Sequence, residues 1–157
     1  MWWQQCKTSA WVFGRVLLSL IFISSGVMKI PNWSQTAAHM SEKGMVAVQL
    51  FLALAILVEI GAGLGVLLGW WARCSAFTLA LYLIPVTLVF HNFWAYGGME
   101  MQNQMQHFMK NLTIFGGLLT LGAVGAGPYS VDSMRPAAWH GEATRTETVH
   151  RQPALTH

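Results

Sequence analysis

A glutamate stands inside an unbroken apolar run, Ile56-Leu57-Val58-Glu59-Ile60-Gly61. If that run crosses a bilayer, the carboxylate costs about 2.5–3.5 kcal/mol to insert. It must then face the protein interior and meet a cation, or carry a proton. Arg15 and Lys29 are the cations on the first apolar segment. Arg15, Ser19, Phe22, Gly26 and Lys29 recur at helical spacing, so they share one face. Counted from the ends of the two segments, Arg15 and Glu59 differ in depth by about 9 Å. An arginine side chain covers much of that gap, which makes Arg15 the first expected partner of Glu59 and Lys110 the second. Lys29 has a plainer alternative, to snorkel out to the headgroups. Arg15, Glu59 and Lys29 form a candidate intramembrane polar site. A buried Arg–Glu pair can serve only to fix helix register, but ionisable groups within membranes are more often functional.

A second cluster lies toward the other end of the chain. His107, Lys110 and Asn111 share a helix face at i, i+3 and i+4, and His91 ends the preceding apolar run. Met99, Met101, Met105 and Met109 accompany them. Thioether and imidazole ligands suit Cu(I). An adaptable pocket lined by Met and aromatic groups, with Lys, Asn and His as polar contacts, suits a quinone-like head group better. His91, His107, Lys110 and Asn111 are therefore the candidate ligand or quinone site, and no metal is expected. Cys6 and Cys74 belong to no CxxC or zinc-type spacing.

The elements that position these groups follow from composition. Hydrophobic residues make up 54% of the 157 and charged residues 10%, against about 25% charge in a soluble domain. Lipid must therefore be part of the solvent. Four apolar segments of helical length stand out, at about 11–28, 45–68, 74–93 and 107–124. Pro31 ends the first and Gly125-Ala126-Gly127-Pro128 the last. Trp and Tyr cluster at the segment ends, as interfacial rings do. With no water to satisfy backbone groups, each segment must be a helix. The predicted fold is all-α, an integral membrane antiparallel four-helix bundle over residues 1–132.

Basic residues orient it. Lys7, Arg15, Arg73, Arg135, Arg145 and Arg151 fall on one side and Lys29, Lys43 and Lys110 on the other. The first side, with both termini, is expected to be cytoplasmic. Arg15 within the first segment and Lys29 just after it argue for a retained span rather than a cleaved signal peptide. Residues 133–157 have almost no aliphatic side chains and are expected to form a disordered cytoplasmic tail. Its histidines, His140, His150 and His157, lack metal-ligand spacing. The dispersed basic residues give a net charge of +3 and do not form a nucleic-acid footprint. Gly61, Gly65 and Gly69 make two GxxxG steps, and Gly116, Gly117, Gly122 and Gly125 lie on the last segment. These small residues fit close packing within the monomer better than a homodimer face, though they are compatible with both.

In this order and spacing, several stretches resemble the DoxX family of small bacterial membrane proteins. They are Gly14-Arg15 with Leu20 to Lys29, Glu59-Ile60-Gly61-Ala62-Gly63 with Leu67-Leu68-Gly69 and Arg73, His107 to Leu112 with Gly116-Gly117-Leu118-Leu119, and Gly127-Pro128-Tyr129-Ser130-Val131-Asp132. The resemblance implies four membrane helices in the bacterial inner membrane. It also implies a redox connection, because related subunits belong to a thiosulfate:quinone oxidoreductase and to thiol and oxidative-stress complexes. This chain has no CxxC, haem or flavin motif of its own. It therefore reads as an accessory or quinone-interacting subunit beside oxidoreductase partners, with quinone the one cofactor implied. The alternatives are a small-solute or proton-linked transporter, in which Glu59 titrates, and a non-catalytic assembly factor.

Overall fold

The computed structural model describes residues 2–134. The expected tail lies outside these residues, except that Asp132–Met134 forms a 3-10 turn. Among the described residues there are five α-helices and no strand. They are α1 (Trp2–Lys29), α2 (Trp33–Glu42), α3 (Val48–Leu68), α4 (Ala72–Phe90) and α5 (Gly98–Val124).

Helix α1 begins well before the expected position 11. Nothing in its first nine residues breaks a helix, and it ends one residue before Ile30-Pro31. Helix α2 was not anticipated. Trp33, Ala37 and Met40 fall at i, i+4 and i+7, and this face packs on Leu52, Val48 and Phe90. Helix α2 closes where Gly44 takes a φ of +75°. There the Met45 N–H donates to the Met40 carbonyl, the left-handed ending that glycine favours. Helix α5 starts at Gly98 rather than near 107, because residues 99–106 are helix formers with no breaker among them.

The long helices run antiparallel in the cyclic order α1, α3, α4, α5. A Cβ on Gly26 would lie 2.7 Å from Ile60 Cγ1, and one on Gly63 would lie 2.8 Å from Ile23 Cγ1. Helices α1 and α3 therefore approach at glycine on both sides, the spacing small residues permit in membranes. Gly61 has nothing within 4 Å, and Gly65 and Gly69 face Ser75 and Ser130 respectively. The expected GxxxG stripe thus meets several neighbours rather than one. Phe22, Val66, Leu79, Leu83, Leu118 and Leu121 form the central core, while Leu17, Leu57, Leu81 and Leu112 are more than half exposed. An exterior this apolar needs lipid, not water, around it.

Three helical segments are long and apolar enough to cross a membrane, namely Gln5–Lys29, Val48–Leu68 and Ala72–Ala95. Helix α5 is comparably long, but Glu100, Gln102, Gln104, Gln106, His107 and Lys110 make its first half polar. Its apolar part, residues 112–124, spans only about 20 Å.

The end of the bundle holding the α3–α4 turn is sealed by the segment after α5. The Val131 and Asp132 N–H groups donate to the Leu68 and Gly69 carbonyls. Asp132 accepts from the Trp71 and Ala72 N–H groups, both at 2.9 Å, capping α4 with a carboxylate at its positive end. Asp132→Ala is expected to lower stability by about 1–2 kcal/mol, read as an earlier unfolding transition in detergent, whereas Asp132→Asn should lose less.

Candidate functional site

Helix α1 presents Ser25 and Lys29 one turn apart, on the face that Gly26 brings against α3. Opposite them, α3 presents Glu59, which is 4% exposed. The Lys29 ammonium donates to both carboxylate oxygens, at 2.8 Å to Oε1 and 2.7 Å to Oε2. Its third proton goes to Ser25 Oγ at 2.7 Å. Glu59 Oε1 also accepts from the Ser25 hydroxyl at 3.2 Å and from the Tyr82 hydroxyl of α4 at 2.7 Å. A cation and two hydroxyls thus offset the cost of taking the carboxylate out of water.

The expected pairing of Glu59 with Arg15 is not what forms. The glycine contacts set Glu59 level with about residue 27 of α1. Arg15 then lies roughly twelve residues away, about 18 Å along the axis. The two helix ends are not level, because α1 begins at Trp2, well before position 11. Arg15 is buried at the sealed end instead. There its Nη1 donates to the Ala126 carbonyl at 3.0 Å and its Nη2 to the Tyr129 carbonyl at 2.8 Å. Lys110, the second expected partner, donates to His107 Nδ1 at 3.2 Å. Lys29 does not snorkel away, since its side chain is 22% exposed and turned onto Glu59.

At the other end of the bundle, the His91 and His107 rings stack with centroids 5.0 Å apart. His91 Nδ1 lies 3.0 Å from Gln104 Oε1. Asn111 is buried and donates to Thr87 Oγ1 at 3.1 Å. Lys43, just after α2, donates to the Tyr96 hydroxyl at 2.6 Å, tying the end of α2 to the loop before α5.

A cavity of about 580 Å³ joins the two clusters. Its walls are apolar, among them Phe51, Leu54, Val58, Val86 and Val89, and it includes Lys29, Glu59 and Tyr82. His39, His91, Lys110 and Asn111 also line it. Of the residues expected from sequence, five therefore share one chamber, while Arg15 and His107 lie outside it. Sequence reasoning missed Ser25, Tyr82 and His39. Ser25 was detectable one turn before Lys29. Tyr82 was detectable as a tyrosine far from the interface where that residue normally sits. His39 carried no signal, because α2 itself was not foreseen. Among the described residues no three His, Cys, Asp or Glu side chains are grouped to hold a metal ion.

An apolar exterior around a largely buried charge pair and an adjoining cavity defines an integral membrane protein with a buried polar site. The DoxX family model matches residues 10–92, a stretch containing Lys29, Glu59 and Tyr82. The inner membrane protein YqjF of Escherichia coli (strain K12) is 35% identical over 125 residues, 80% of this chain and 91% of that protein. The inner membrane protein YphA of the same organism is 28% identical over 121 residues, 77% of this chain and 86% of that protein. No solved structure matches the chain. The chain belongs to the DoxX family and is a bacterial inner membrane protein.

Proposed function

We propose that this chain is a quinone-interacting accessory subunit of a membrane redox complex, holding the head group in the chamber while partner subunits exchange electrons with it. The observation that carries this is the chamber itself. Its volume of about 580 Å³ lies within the usual range for small-molecule sites, as does its mix of apolar walls and few polar groups. Lys110 uses one proton on His107, so two remain for an acceptor. Asn111 has a second amide proton beyond the one given to Thr87. A quinone, when bound, supplies a two-electron, two-proton carrier. In this reading α5 also crosses the bilayer, with the 3-10 turn at Phe93–Ala95 packed on its first half through Phe93 and Phe108. Four crossings then leave both termini in the cytoplasm.

The test is the quinone content of protein purified in native-lipid nanodiscs. Wild-type protein is expected to retain quinone above the level of the surrounding lipid. Ala55→Phe, which fills the chamber, is expected to reduce that excess by about tenfold or more. Equal content in both proteins, with no oxidoreductase copurifying, would sink the proposal. The Lys29–Glu59 pair supports a second reading, proton-linked transport of a small solute. That reading predicts proteoliposome flux which Glu59→Gln abolishes.

A further inference from the structure

The polar groups of the inner site have spent their donors and kept acceptors. All three Lys29 protons are engaged, by Ser25 Oγ and the two oxygens of Glu59. The hydroxyl protons of Ser25 and Tyr82 both go to Glu59 Oε1. What remains is acceptor capacity. An ionised carboxylate has about four lone-pair sites. Oε1 receives three donors and Oε2 only Lys29. The Tyr82 oxygen donates to Glu59, and no described residue donates to it. The pair is also electrically neutral, so it does not call for a charged ligand.

From this we infer that the inner site recognises a neutral hydroxyl donor, a phenol or the reduced quinol form, and discriminates against a head group that can only accept. The inference rests on the reading of the chamber as a ligand site. An O–H donated to Glu59 gains a charge-assisted hydrogen bond. A carbonyl or ether oxygen at the same place faces lone pairs and gains none. The donors that could serve a carbonyl, on Lys110 and Asn111, belong to the other end of the chamber. A two-ended head group would thus be held hydroxyl-inward.

A redox-inert pair tests this directly. Binding of 4-nonylphenol and of its methyl ether is measured on wild-type protein in nanodiscs, with affinities expressed per mole of lipid to cancel partitioning. The phenol is expected to bind at least about tenfold more tightly, the scale of one hydrogen bond to a charged group. The double variant Lys29→Met/Glu59→Gln, whose amide both donates and accepts, should bring the two ligands within about threefold. Ala55→Phe should weaken both together. Equal affinities in wild-type protein, or tighter binding of the ether, would overturn the inference and leave the chamber reading standing. A phenol preference that survives the double variant would overturn it too. Failure of both ligands to bind wild-type protein would remove the chamber reading itself, and this inference with it.

Discussion

Lys29→Met is expected to destabilise the folded protein by about 3–5 kcal/mol, the cost of removing one partner from a buried ion pair. Glu59 would keep its two hydroxyl donors but lose the cation that contacts it. Arg15 is held at the opposite end by the Ala126 and Tyr129 carbonyls. Glu59→Gln should cost less, because the stranded Lys29 ammonium lies at the end of its helix and can turn outward. The double variant Lys29→Met/Glu59→Gln should recover most of the loss, since its neutral amide still accepts from Ser25 and Tyr82. Thermal unfolding of all four proteins in one mild detergent measures the coupling. Single-variant losses that simply add would mean the pair contributes nothing as a pair.

The second large effect is steric. Gly26→Val should cost about 1–3 kcal/mol from overpacking and should also loosen the polar site. A Cβ at position 26 would stand 2.7 Å from Ile60 Cγ1, 3.1 Å from Glu59 Cβ and 3.4 Å from the Ile60 backbone nitrogen. The side chain can rotate aside, but the backbone cannot. Helix α1 must then back away from α3 at the level where Lys29 reaches Glu59. Gly61→Ala on α3 is the control. Nothing lies within 4 Å of its Cβ position, and alanine gains about 1 kcal/mol of helix propensity over glycine. Unfolding midpoints that fall at Gly26→Val and hold or rise at Gly61→Ala would bear this out. Equal losses at both positions would show that the register between α1 and α3 does not depend on this contact.

Much of the fold was legible because hydrocarbon imposes a simple rule. Long apolar runs must be helices, so the cores of α1, α3, α4 and the second half of α5 were readable from composition. Pro31 and Gly125 marked two of the helix ends. Helix α2 was less legible because it is short and its mixed face only acquires meaning once Leu52 and Phe90 are beside it. The early start of α5 was hidden by the polarity of residues 99–106, which says where a helix stops being apolar but not where it stops being helical.

The sequence by itself determined that Glu59 must have company, because a carboxylate among lipid tails is too costly to leave alone. It could not determine which company. Arg15, Lys29 and Lys110 were all plausible from one-dimensional depth. The choice came from three-dimensional register, in which Gly26 and Gly63 lock α1 against α3 with Lys29 level with the carboxylate and Arg15 far from it. The chamber is likewise a tertiary property. It exists only where five helices leave space between them, and no local pattern records the volume that side chains fail to fill.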